Sequence, residues 1–140
     1  MANVIYNSFK QKIMDGSIDL DTDTIRVALV TSTYTPDQDA HEDYADITNE
    51  VVGTGYTAEG AALANKAVTK DNTDNEGVFD ADNVTWASST ITARGAIVYK
   101  DSDTATTSWF IAYFDFTSDQ SSNNGNFTIT WNAEGIVNLG

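Results

Sequence analysis

The side chains in this sequence that could do chemistry are one histidine and a large excess of carboxylates. The chain has 21 Asp and Glu residues, His41 as its single histidine, and no cysteine. A Ser-His-Asp or Cys-His arrangement requires a base beside a nucleophile, and no such pair can be argued from these positions. Paired carboxylates, such as Asp21 with Asp23 or Asp80 with Asp82, are the groups that hydrolyse glycosidic bonds. Such pairs arise by chance in so acidic a chain, and we therefore predict that the protein is not an enzyme.

Two local motifs suggest ligand sites, but neither has the required context. The glycines between Val51 and Leu63 lack the preceding strand and following helix of a dinucleotide-binding fingerprint, so we predict turns or bulges there. In the acidic run Asp71–Asp82, alignment of Gly77 with the glycine of an EF-hand loop puts Asn83 where a bidentate Glu is needed. This run is either a solvated acidic turn or an irregular calcium site. We predict no metal ligands and no cofactor.

The balance of charged residues limits the classes of partner that this protein is expected to bind. The formal net charge is −14, and the seven Lys and Arg residues are scattered singly. Nucleic-acid binding requires clustered positive charge, so we predict no nucleic-acid partner. No apolar run approaches the ~20 residues of a membrane-spanning helix, and we predict no membrane partner and no small-molecule substrate. Without cysteines or a secretion-signal pattern, we expect folding in a cytoplasm.

The elements that must position these side chains are predicted to be mainly β-strands. Alternation of apolar and polar residues in Ile91–Tyr99 is typical of a half-buried strand. The run Trp109–Phe116 is apolar on both faces, which indicates a strand central in a sandwich or covered by a partner subunit. The polar residues 101–107 between them predict a hairpin with a longer loop.

The remaining pattern predicts one helix and several further strands. Residues 3–15 place apolar side chains at every fourth position and end at Gly16, which is typical of a short helix with a glycine cap. Residues 117–126, with Asn124-Gly125, are predicted to be a turn region. We count about seven strands over 1–140. The predicted fold is mainly β: a single-domain antiparallel β-sandwich, Ig-like or jelly-roll-like, with one short N-terminal helix.

Residues 33–50 are predicted to form a long acidic surface loop. Loops of this length in compact domains are often functional or interfacial. Tyr34 and Tyr44 within it either anchor a partner or fold back as lids over the core, since aromatic residues are common in both places.

Four segments, which together cover nearly the whole chain, resemble a family of small virion structural proteins of tailed bacteriophages. The segments are residues 1–32, 47–69, 79–101 and 111–120. The most specific parts are the short helix followed by IDLDTDTIRVALVTS, and the run TWASSTITARGA. The family carries no catalytic motif, and the resemblance implies a structural role in the phage particle.

Within that setting we predict a capsid decoration, or cement, protein. Such a protein is a homo-oligomer, with a trimer favoured, that contacts the major capsid protein and resides in the virion after synthesis in the bacterial host. The residues assigned to an oligomer or shell interface are Tyr6, Phe9, Tyr34, Tyr44, Trp109, Phe110 and Phe114. The alternative for the phenylalanines is packing under the N-terminal helix, because core is the commoner location of Phe.

Two alternative functions remain open on the sequence. The first is a tail or tail-tip component. The second is a host-surface glycan-binding module that uses exposed aromatic residues such as Trp109 or Tyr34. A glycan site would need aromatic faces exposed beside Asp and Asn side chains, whereas a cement role would bury them against protein.

Overall fold

A computed structural model describes residues 3–140. The regular elements, in chain order, are β1 Val4–Ile5, α1 Asn7–Met14, β2 Ile25–Val30, β3 Ala61–Ala62, β4 Ala67–Asp71, β5 Glu76–Asp80, β6 Val84–Lys100, β7 Phe110–Ile129 and β8 Val137–Leu139, with single 3-10 turns at Tyr44–Asp46 and Ala105–Thr107.

The strands form two antiparallel sheets. The larger sheet has the order β1-β7-β6-β2-β3, and the smaller has the order β4-β5-β8. Every pairing between named strands is antiparallel. The prediction of a mainly β sandwich with one helix near the N-terminus is confirmed.

The helix is shorter than predicted and begins at Asn7. Val4 and Ile5 instead pair with Tyr113 and Ala112 as an edge strand of the larger sheet. Their backbone groups are satisfied by β7, which removes the need for a helical turn at this point. The predicted end is confirmed, because Gly16 follows the last turn with a φ of +79°, a conformation that favours glycine.

The predicted turn at 117–126 is wrong, because these residues belong to β7. The β6–β7 ladder continues as far as Val84 opposite Ile129, with register shifts along the way. Asn124 has a φ of +47°, and Gly125 lies opposite Ser89, so this dipeptide forms an irregularity within the strand. Turn residues and bulge residues share the same backbone requirement, so local sequence does not separate them.

The acidic run Asp71–Asp82 also contains a strand. β5 pairs with β4 on one side and β8 on the other, and Phe79 within it is only 2% exposed. The burial of this one aromatic side chain thus holds a polar segment in the sandwich.

Among the predicted turn glycines, Gly60 has a φ of +71°, and a Cβ there would lie 1.8 Å from the carbonyl oxygen of Val27. This position therefore requires glycine.

The larger sheet is buried on both faces. Val27 and Leu29 of β2 face a core shared with Phe9 and the smaller sheet, whereas Ala28 and Val30 face a second core rich in tyrosine. In β7, strict alternation would place Phe110 on the face opposite to Tyr113. A register shift next to Val98 and Tyr99 places Phe110 in the same core as Tyr113, because one extra residue reverses the alternation.

Candidate functional site

Four of the seven side chains predicted at an interface lie in the chain's own core. Tyr6, Phe9, Tyr34 and Phe110 are fully buried. A side chain with no exposed surface has none to offer a second chain, so the role of these four is corrected to core packing. Tyr44, Trp109 and Phe114 are partly exposed, and their place at an interface stays a prediction.

The loop 33–50 forms a lid over the second face of the larger sheet. The ring of Tyr34 lies 5.7 Å from that of Tyr113, and the ring of Tyr44 lies 5.2 Å from that of Tyr99. Ile47 also packs against this core. Of the two predicted roles for Tyr34 and Tyr44, the structure shows the lid.

A chain of hydrogen bonds connects the lid to the start of the helix. The hydroxyls of Tyr6 and Tyr34 are 2.8 Å apart, and the Tyr34 hydroxyl lies 2.9 Å from Nδ1 of His41. The main-chain N–H of Asp37 also donates to that Nδ1, at 3.3 Å. Nδ1 must therefore be an acceptor, which assigns the imidazole proton to Nε2 and makes Tyr34 the donor to His41. Burial raises the pKa of Tyr34 to about 12.

A second anchor of the lid is built around the carboxylate of Glu50. It accepts hydrogen bonds from the hydroxyl of Tyr44, from that of Tyr56 at 2.7 Å, and from the main-chain N–H of Glu59 at 2.8 Å. The Tyr56 hydroxyl in turn accepts from the N–H of Leu29 in β2, at 2.9 Å. Burial, and then the neighbouring carboxylate, raise the pKa of both tyrosines. This carboxylate is therefore a structural acceptor with its oxygens already occupied.

Trp109 lies next to two ammonium groups. Nζ of Lys12 is 4.1 Å from the ring centroid, and Nζ of Lys100 is 5.4 Å from it. Lys100 also forms an ion pair with Asp23 at 3.0 Å and donates to the carbonyl oxygen of Ser17 at 2.8 Å. Cation–π contacts with the chain's own lysines occupy this ring, which weakens the case for Trp109 as a glycan-stacking residue.

The carboxylate pairs singled out from the sequence take part in local structure. Asp23 is paired with Lys100 and accepts from the N–H of Asp19 at 2.8 Å. Asp82 accepts from the side-chain amide of Asn65 at 2.6 Å. One member of each pair therefore serves to position a loop.

The structure brings together three other carboxylates that the sequence did not group. One oxygen each of Asp71, Asp74 and Glu134 lies within 4.8 Å of the others. Asp71 Oδ1 caps the turn by accepting from the N–H groups of Thr73 at 2.7 Å and Asp74 at 3.2 Å. Such capping is the ordinary use of Asp in a hairpin turn. Glu134, about sixty residues away in sequence, could be placed here only by the pairing of β5 with β8.

An apolar groove opens between the end of α1 and the smaller sheet. It has a volume of about 550 Å³. The turn after the helix contributes Ile18 and Leu20, while Val68 of β4 and Leu139 of β8 line the other side. Sequence analysis missed this groove because its residues come from four separate segments. Met14, at the end of the helix, is exposed in the structure, which its place in the apolar pattern of the helix did not indicate.

No helix within residues 3–140 is long and apolar enough to cross a membrane. Comparison of the chain with protein-family models, with curated proteins and with solved structures found no match.

Proposed function

We propose that this protein is a non-enzymatic structural component of a bacteriophage virion, and specifically a capsid decoration protein. In this role a homotrimer docks on the assembled shell and bridges neighbouring major capsid subunits. The setting in the phage particle comes from the sequence resemblance described above. The mode of action comes from the geometry of the surface.

The observation that carries the proposal is the groove beside α1. Met14, Val68 and Leu139 are exposed large apolar residues of the described chain, with 87%, 52% and 51% of their surface accessible. Two of them line the groove, and Met14 lies in the helical turn next to it. Contiguous apolar surface of this kind marks sites of protein association.

The coverage of both sheet faces supports docking as a prefolded unit. The lid 33–50 and the smaller sheet supply the cores on either side of the larger sheet, so the chain requires no partner to bury them. A unit that is sealed in this way adds to a completed shell without refolding, as a decoration protein must.

The side chains that could act in catalysis also support a structural role. His41 and Glu50 are acceptors for tyrosine hydroxyls that fasten the lid. A general base needs access to a substrate proton, and these two groups are already committed within the fold.

Cryo-electron microscopy of the intact particle tests the proposal by locating the chain and counting its copies. Hundreds of copies over the shell support decoration, and particles without the protein should then lose resistance to heat. A few copies confined to the tail would replace decoration with the tail-component alternative. Absence from the particle would refute a virion role altogether.

The oligomeric state is tested separately by sedimentation on the isolated protein. A trimer sediments with three times the mass of one chain. A strictly monomeric species at micromolar concentration would remove the trimer from the proposal and leave the shell as the place of association.

A further inference from the structure

The exposed apolar residues of this chain are concentrated at one place. The large apolar side chains that are more than half exposed, within residues 3–140, are Met14, Val52, Val68 and Leu139. Val68 and Leu139 line the groove beside α1, and Met14 follows Ile13, which also lines it, whereas Val52 lines a different depression with Thr90 and Thr92. Scattered single residues need no explanation, but a cluster at a concave surface does.

The groove is an uncovered continuation of the core. Val68 pairs with Phe79, and Phe79 pairs with Val137, so these three share the inner face of the smaller sheet. Leu139 follows Val137 on that face, and Gly77 opposite it has no side chain to fill the space. The helix ends at Met14, before it covers this part of the sheet. The groove therefore offers an apolar floor to an incoming side chain.

Acidic side chains lie along one side of this floor. Asp19 and Asp21 line the groove, and Asp15 lies at the end of the helix beside it. Hydrogen bonds from Ser17 lower the pKa of Asp15, and hydrogen bonds from Thr22 and then Asp21 lower that of Asp19. Asp15 and Asp19 therefore keep their negative charge to a lower pH than an ordinary aspartate does.

The basic groups nearby offset only part of this charge, because Lys12 attracts Asp15 and Lys66 attracts Asp19 without forming an ion pair with them in the part of the chain that the structure describes. Nζ of Lys66 donates to the carbonyl oxygens of Asp21 and Asp23, which places it against the main chain of the turn. Lys100 is paired with Asp23. Within the described residues, no ion pair involves Asp15, Asp19 or Asp21.

We infer that this groove docks a segment of a partner protein in which an apolar side chain is flanked by lysine or arginine. The apolar residue would enter between Ile18, Leu20 and Val68, and the basic residues would meet Asp19 and Asp21. A second copy of this chain is a poor occupant of this groove, since its seven Lys and Arg residues are scattered singly and offer no basic cluster to the rim. The inference deepens the proposed function by naming the surface and chemistry of the shell contact, and it rests on that function for the identity of the partner.

Matched substitutions test the groove on the particle. Val68→Asp and Leu139→Asp place a charge on the apolar floor, and Val52→Asp makes the same change at an exposed site outside it. We expect the first two to lower the number of copies per particle about tenfold or more, from the burial lost by an aliphatic side chain. Val52→Asp should bind like the wild type. Near-ultraviolet circular dichroism checks that all three variants are folded.

A peptide probe tests the same surface on the isolated protein. The probe is a short amphipathic peptide of leucine and lysine, its control replaces lysine with glutamate, and binding is measured by calorimetry. If the peptide bound only by non-specific attraction to an acidic protein, its affinity for Leu139→Asp would be higher than for the wild type. If it docks in the groove, its affinity for this variant should be lower by about tenfold or more. Asp21→Asn should reduce the salt dependence of binding, and Asp119→Asn, on β7, should not.

The particle experiment and the peptide experiment together distinguish a failure of the groove inference from a failure of the virion role. If wild type and Val68→Asp decorate particles equally, the groove inference is overturned and the decoration role stands. If the protein is absent from the particle but the leucine-lysine peptide still binds in the groove, the virion role fails and the groove inference survives. Equal peptide affinity for wild type and both groove variants would overturn the inference on its own.

Discussion

The hydroxyl of Tyr34 donates a hydrogen bond to Nδ1 of His41 over 2.9 Å. Tyr34 is fully buried and His41 is partly exposed, so this bond fastens the outer part of the lid to the core beneath it. The loop that the sequence marks as acidic and irregular is thus held in a defined position by its aromatic residues and its single histidine.

A double-mutant cycle measures this fastening. His41→Phe should lower the free energy of unfolding by about 1 kcal/mol, because it removes one partner of a partly buried hydrogen bond. Tyr34→Phe should lower it by more, because it also leaves the buried hydroxyl of Tyr6 without its partner. The double variant should cost less than the sum of the two, since the bond can be lost only once. Denaturant unfolding gives the three values. Strict additivity would mean that the bond contributes nothing to stability.

The carboxylate of Glu50 is expected to contribute more to the free energy of unfolding than the bond between Tyr34 and His41. In Glu50→Gln one acceptor oxygen becomes a donor, which faces either the hydroxyl of Tyr44 at Oε2 or the hydroxyl of Tyr56 and the N–H of Glu59 at Oε1. We expect a loss of about 1–3 kcal/mol in the free energy of unfolding, because donors are left without an acceptor. Glu42→Gln, at an exposed position of the same loop, is the matched control and should change stability by less than about 0.5 kcal/mol. Equal effects of the two substitutions would contradict the anchoring role of Glu50.

Stability at high pH should depend on the tyrosines. Burial is the largest cause of a raised pKa at every tyrosine in the chain, namely Tyr6, Tyr34, Tyr44, Tyr56, Tyr99 and Tyr113. The folded state therefore keeps phenolic protons that the unfolded chain loses above about pH 10. Stability from these groups is complete below that pH and is lost as the pH rises.

The absorbance of tyrosinate measures the loss of the phenolic protons directly. We expect little ionisation in the native protein near pH 10, then one cooperative rise that coincides with the loss of circular dichroism. The protein unfolded in denaturant should titrate near the ordinary value. Gradual ionisation of several tyrosines, with the fold intact, would show that their hydroxyls are not shielded as described.

Stability at low pH should depend on Asp115. Its carboxylate accepts from Nε of Arg94 at 2.8 Å, where β6 and β7 shift register, and this contact with the guanidinium lowers the pKa of Asp115 strongly. As the pH falls below about 4, the unfolded chain binds the proton first, and the stability from ionised Asp115 is progressively lost.

Asp115→Asn isolates this contribution. The variant should be less stable than the wild type at neutral pH, and the difference should shrink as the pH is lowered below about 4. Asp119→Asn, an exposed neighbour in β7, should leave the pH profile nearly unchanged. Thermal unfolding between neutral and acidic pH provides the comparison. A constant difference between wild type and Asp115→Asn across this range would refute the contribution.

The sequence alone determined the fold class and most of the strand positions. Alternation in Ile91–Tyr99 and the double-faced run Trp109–Phe116 predicted the central hairpin, because side-chain facing with a period of two is a local property of extended backbone. Gly16 marked the end of the helix for an equally local reason, since its positive φ favours glycine.

Only the tertiary structure decided what covers the second face of that hairpin. The apolar run Trp109–Phe116 indicates that Phe110 is to be buried, but it does not show whether a lid or a partner covers it. The facing of the side chains in β7 was also decided by the tertiary structure alone, because one extra residue at a register shift reverses the facing of every later side chain. The groove beside α1 depends on strand pairing that joins Val68 to Leu139 through β5, a long-range contact that no local pattern encodes.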